Sequence, residues 1–176
     1  MTSERFLIDS NSLIEPFNKY YPFEIAPRFW KLMKENINSG SIVLPDKVRD
    51  ELLNTRSKEE EDELTRRVRS LPKDLILDHR DPKILENYSK IMDYLNGNKN
   101  YQQNALTEWA KNNVADAWLI AASAAYGYTL VTFEKGNRSL HPKNPAKKAK
   151  IPDVANVFGV KTTTLFDMMK LLNFTL

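Results

Sequence analysis

The stretch Arg5-Phe6-Leu7-Ile8-Asp9-Ser10-Asn11-Ser12-Leu13-Ile14-Glu15 decides the fold. Phe6 to Ile8 form a short apolar run with no polar alternation, which reads as a strand buried on both faces. Asp9 closes the run. Ser12 and Glu15 then stand at capping-box spacing, which predicts a helix starting near Leu13, with Pro16 tolerated in its first turn because amide donors there are unpaired anyway. Asp9 is thereby placed at a strand-to-helix junction. Outward along the chain the same punctuation returns. Ile42-Val43-Leu44 reads as a second strand, stopped by Pro45 and followed by helical spacing of Val48, Leu52 and Leu53, with Glu51 on that helix. Tyr128 to Thr132 reads as a third, with Glu134 just beyond it. Strands that alternate with helices predict an α/β fold, a parallel sheet covered on both faces, whose ligands bind beyond the carboxyl ends of the strands.

The remaining segments fit that plan. Phe29, Trp30, Leu32 and Met33 mark a helical face that ends at Asn38-Ser39-Gly40. Residues 57–71 are dense in charge, with Asp62/Arg66 and Glu63/Arg67 four apart, and read as a solvated helix with a thin stripe of Leu64, Val68 and Leu71. Leu75 to Leu77 reads as a strand or an extended connection. Ile84 to Leu95 reads as an amphipathic helix that stops at Asn96-Gly97-Asn98. Val114 to Tyr126 is rich in alanine and apolar nearly all round, which predicts a central buried helix closed by Gly127, with Asn113 as a plausible cap and Asp116 in the first turn. Ile151 to Phe158 reads as helix, Val160 to Thr163 as extended, and Leu165 to Leu172 as helix.

Composition narrows the chemistry. The chain has 176 residues, 41% apolar and 28% charged, which suits one folded domain over 1–176 and excludes a disordered chain. No run reaches the roughly 18 to 20 apolar residues of a membrane span, and Met1 to Asp9 has no basic-then-apolar signal pattern, so the expectation is a cytoplasmic protein without a membrane partner. There is no cysteine, and His79 and His141 are the only histidines. Thiolate nucleophiles, zinc ribbons and iron–sulfur clusters are excluded, and histidine triads have almost nothing to use, which leaves carboxylates. From Glu134 onward the chain has eight Lys/Arg against three Asp/Glu. The cationic loop with Lys143, Lys147, Lys148 and Lys150 suits a polyanion, while a merely solvated surface explains it equally well.

Four stretches in order, Phe6-Leu7-Ile8-Asp9-Ser10-Asn11-Ser12, Val43-Leu44-Pro45-Asp46-Lys47-Val48-Arg49-Asp50-Glu51, Ala115-Asp116-Ala117-Trp118 and Leu130-Val131-Thr132-Phe133-Glu134, resemble those of the PIN-domain nucleases. The likeness spans most of the chain and is strongest to a toxin-like (VapC-type) bacterial branch with an Ile-Pro-Asp-Val segment, here Ile151 to Val154. It implies a Rossmann-like three-layer sandwich and hydrolysis of RNA. It implies Mg²⁺ or Mn²⁺ held by Asp9, Glu51, Asp116 and Glu134, with Asn11 and Thr132 as supporting polar groups. It also implies RNA, a protein antitoxin and a second copy of the chain as partners. Glu134 departs from the family's usual Asp by one methylene, which allows contact through water or with a second cation. The stretch 54–112 exceeds what compact members need and reads as a helical insertion.

Elementary chemistry points the same way. Gathered carboxylates repel unless cations neutralise them or some stay protonated, and a hard divalent ion takes oxygen ligands. Lys135, Arg138, Lys143, Lys147, Lys148 and Lys150 would then track the phosphate backbone. Singly, each acid also has an ordinary reading as a cap, a dipole partner or an exposed charge. Trp30, Trp109 and Trp118 stand at helical spacings that suit a core better than base stacking, and Asp153 fits the first turn of a helix or an outer acid. An aspartyl phosphotransferase would want Asp where Asn11 stands, and a dinucleotide site would want glycines near Asp9. A non-cutting PIN-like binder of nucleic acid or protein is the surviving rival.

Overall fold

Phe6, Leu7 and Ile8, all at or below 1% exposure, form β1 (Phe6–Ile8) at the centre of a five-stranded sheet. The computed structural model describes residues 4–54, 61–137 and 139–176. The other strands are β2 (Ile42–Pro45), β3 (Ile76–Leu77), β4 (Thr129–Val131) and β5 (Thr162–Thr163). Their order is β3-β2-β1-β4-β5, and every pairing is parallel, with Phe6 opposite Ile42 on one side and Thr129 on the other. Parallel neighbours need crossovers, and helices supply them: α1 (Asn11–Glu15), α2 (Pro27–Ser39), α3 (Asp46–Asn54), α4 (Glu63–Arg69), α5 (Pro82–Gly97), α6 (Gln103–Trp109), α7 (Asp116–Tyr126), α8 (Ile151–Val157) and α9 (Leu165–Leu171). The result is a Rossmann-like three-layer sandwich. Strand order reverses between β1 and β4, so a crevice opens there beyond the carboxyl ends.

The core explains why α7 is apolar all round. Ala117, Leu119, Ile120, Ala121, Ala122 and Ser123 are buried, because the helix lies against β1 and β4 on one side and α5 on the other. Tyr88 of α5 stacks on Trp118 of α7 with centroids 3.7 Å apart. Gly127 ends the helix at φ 70°, a left-handed conformation in which a side chain would be strained. Within 54–112, β3 pairs with β2 and α5 packs on α7, so the described part of this stretch belongs to both sheet and core. Trp30 and Trp109 are buried as their spacing suggested.

Several local expectations are corrected. The first helix starts at Asn11 rather than near Leu13, and Pro16 opens a π-helical turn, Pro16–Tyr20, instead of sitting in the first turn. Asn113 does not cap α7, whose preceding residue Ala115 has no side-chain cap. No helix among the described residues is long and apolar enough to cross a membrane.

Candidate metal centre

Asp9 follows β1 directly and is 4% exposed. Its Oδ1 accepts the backbone N–H and the hydroxyl of Ser12, both at 2.7 Å, so the acid itself caps α1. This replaces the anticipated Ser12–Glu15 capping box: the Ser12 hydroxyl turns back to the buried carboxylate, the stronger acceptor, and to the Val131 carbonyl at 3.3 Å. Thr132, buried just past β4, donates its hydroxyl to Asp9 and accepts the Glu134 N–H at 3.1 Å. Both hydroxyls therefore orient Asp9 from the switch point.

Glu51 reaches the same place from α3. Its Oε1 accepts the Ala115 N–H at 3.2 Å, and the Ser10 hydroxyl donates to its carboxylate, so it joins α3 to the residue before α7 and to the end of β1. Asp116, half-buried, opens α7 one residue later. Beside Glu51 lies a cleft of about 510 Å³ lined by Ser10, Lys47, Asp50, Asn112 and Asn113. Lys47 is buried and holds the Asn112 carbonyl and side chain at 3.1 and 3.0 Å, which fixes the loop leading into Asp116. Asn11 is exposed at the start of α1.

Glu134 is engaged differently. Lys150 Nζ sits 2.9 Å from its Oε1, and Oε2 accepts the Ile151 N–H at the start of α8 at 2.8 Å. Glu134 thus ties the basic loop to the crevice, and Lys150 belongs to the acidic cluster rather than to the free cationic surface. Asp153 accepts the backbone and side-chain amides of Asn137 at 2.9 and 2.8 Å, and a Cβ at Gly136 would collide with that carboxylate. A second anchor joins the Ala146 N–H to the Asn100 carbonyl at 2.8 Å. From this pinned loop Lys135, Lys143, Lys147 and Lys148 are exposed, and Arg138 lies outside the described residues.

The four acids feel one another. Burial raises Asp9, with hydrogen bonds from Ser12 and Thr132 opposing and the Glu134 charge adding. Burial likewise raises Glu51, opposed by Ser10 and Ala115 and reinforced by Asp9. Asp116 is pushed up to about 7 by burial and then by the charges of Glu134, Glu51 and Asp9, with Lys150 pulling the other way. The pull of Lys150 does not bring Asp116 back to the usual carboxylate range. A hard divalent ion is a neutraliser that an all-carboxylate, hydroxyl-braced set fits.

A second acidic group stands further along the edge. Asp46, Asp78 and His79 place ligand atoms within 4.8 Å of one another, the only such trio among the described residues. His79 Nδ1 is 2.6 Å from Asp46 Oδ2, and the ring meets Trp118 edge-on with centroids 4.8 Å apart. Asp78 is held by Arg80 through both oxygens and lies at about 2. These residues went unnoticed in the sequence although they carry the same signal as Asp9, a polar or acidic residue directly after a strand. Geometry alone favours this trio for a metal. Charge favours the other group, because a cation here would have to displace Arg80.

The fold and the site together define a parallel α/β protein with a carboxylate crevice at its topological switch point. The chain belongs to the family described as a domain of unknown function, DUF4411, whose model matches residues 6–176. No curated protein matches it.

Proposed function

We propose that this protein is a Mg²⁺- or Mn²⁺-dependent endoribonuclease of the PIN type, hydrolysing RNA phosphodiesters in the cytoplasm. One observation carries the reading: Asp9, Glu51 and Asp116 are each raised at the switch point, first by burial and then by neighbouring carboxylate charge, with Asp116 at about 7. Asp9, Glu51 and Asp116 would hold the ion, with Glu134 at the rim. When bound, it would supply charge neutralisation at phosphorus and an acidified water for hydrolysis. The chain's own groups do the rest. Ser12 and Thr132 aim Asp9, Ser10 and the Ala115 amide aim Glu51, and the exposed lysines draw in the phosphate backbone. The role of toxin, with a protein antitoxin and a homodimeric form, rests on the sequence resemblance.

Products should carry 5′-phosphate and 3′-hydroxyl ends. Activation of a 2′-hydroxyl usually employs histidines, and here His79 is tied to Asp46 while His141 is exposed in the basic loop. The test is incubation of end-labelled RNA with Mg²⁺ or Mn²⁺, followed by end-group analysis, with excess EDTA as the control. Cyclic phosphate ends, or full cleavage in EDTA, would overturn the proposal. One finding favours a second reading, a non-catalytic PIN-like domain that binds nucleic acid or a partner: both oxygens of Glu134 already have protein donors. RNA binding without any cleavage in either metal would select it.

A further inference from the structure

Three aromatic rings meet beside Glu134 on the same edge. Phe133 lies between Thr132 and Glu134, Tyr20 ends the π-helical turn after α1, and Phe166 stands in the first turn of α9, just past β5. The Tyr20 and Phe133 rings are within 11° of parallel, with centroids 6.5 Å apart. Phe166 stands edge-on to both, at 5.7 Å from Tyr20 and 6.5 Å from Phe133. Burial does not explain this cluster as it explains Phe23, Phe29 and Trp30, which are each at most 7% exposed. Tyr20 is 48% exposed and Phe166 39%. Phe133 is half-buried and backs two rings that stay exposed, and exposed aromatic rings gathered in one place mark a recognition surface more often than a core.

Charge selects the occupant. The edge carries carboxylates that suit a cation, and next to the rings stands exposed Lys135, the first residue of a loop whose Lys143, Lys147 and Lys148 also face solvent. A ligand offering flat π faces together with a regular line of negative charge satisfies both surfaces, and single-stranded nucleic acid is that ligand. In a duplex the base faces are hidden against their neighbours. We infer that Tyr20, Phe133 and Phe166 form a stacking platform for an unpaired base of single-stranded RNA, which makes unpaired RNA the substrate class; this inference rests on the nuclease reading above.

The test uses the full chain carrying Asp116→Asn, so that turnover does not blur binding, and two probes: a short fluorescent single-stranded RNA and the same RNA annealed into a duplex. Tyr20→Ala and Phe166→Ala should each weaken single-strand binding about tenfold, leave duplex binding unchanged and leave the salt slope unchanged, since the rings touch no phosphate. Tyr20→Trp, which keeps a ring at the position, should retain affinity and show that the loss is not misfolding. A 2-aminopurine in the single strand should be quenched by the parent and less so by Tyr20→Ala. If the parent binds RNA but Tyr20→Ala binds single strands equally well, the platform is wrong and the nuclease reading stands. If the parent binds no RNA at all, both fall.

Discussion

Two acidic groups share the carboxyl edge of one sheet and are built in opposite ways. At the ends of β2 and β3, Asp78 is paired with Arg80, Asp46 with His79, and Asp78 ionises more readily than usual, at about 2. At the ends of β1 and β4, Asp9, Glu51 and Asp116 are all pushed the other way, and Lys150 is bonded to Glu134. The first group carries its own counter-charge. The second is short of one. Proximity of ligand atoms would pick the first group as a metal site, whereas the state of the charges picks the second, because an ion gains most where burial and neighbouring charge raise the carboxylates.

The sharpest way to break this comparison is to neutralise one acid in each group. Asp9→Asn or Asp116→Asn should cut RNA turnover on the order of 10²–10³-fold, the scale for losing one group that stabilises charge at a reacting centre, while RNA binding survives. Asp78→Asn should leave turnover within about twofold, since its role is an exposed ion pair. Steady-state cleavage of one labelled RNA by all variants decides it, and equal losses in both groups would remove the distinction.

Thermal melting sharpens the same contrast with a smaller effect. A ligand that binds only the folded state stabilises it by about 2.7 kcal/mol at ~100 times Kd, so Mg²⁺ or Mn²⁺ should raise Tm, and Asp9→Asn should blunt the rise while Asp46→Asn should not. The pH dependence follows with a definite sign. Asp116 has a raised folded value, about 7 against 3.8 for the free group, so its contribution is fully present below about pH 4 and is lost as pH rises through about 7. Without divalent metal, Tm should fall over that window, and Asp116→Asn should flatten the fall. Asp78 has the opposite sign, contributing above about pH 4 and losing that contribution as pH falls through about 2.

The smallest effect belongs to the basic loop. Replacing Lys147 and Lys148 by Ala should weaken RNA binding similarly for all sequences and reduce the salt slope by about two, whereas Lys150→Ala should also disturb the crevice through Glu134. A double variant with an unchanged slope would show that the loop is only a solvated surface.

Much of the frame was legible because strands buried on both faces leave an apolar run with an abrupt end. Phe6 to Ile8 is a strand with the bounds its sequence suggests, and Gly127 closes α7 where expected. Caps are less legible: the sequence offers Ser12 and Asn113, yet Asp9 takes the Ser12 N–H and no side chain caps α7. An acceptor is chosen by distance in space, and Glu51 lies 64 residues from the Ala115 amide it binds.

By itself the sequence determined the α/β class, the strand-end position of Asp9, the lack of soft metal ligands and the local excess of lysine, because these follow from short-range pattern and composition. Tertiary structure alone decided which charges meet. It brought His79 to Asp46 and Lys150 to Glu134, set Asp116 among the carboxylates that push it up, and gathered Tyr20, Phe133 and Phe166 from three distant segments. The reason is physical: burial and Coulomb interaction depend on separation in space, and a parallel sheet brings the ends of strands far apart in the chain to one edge.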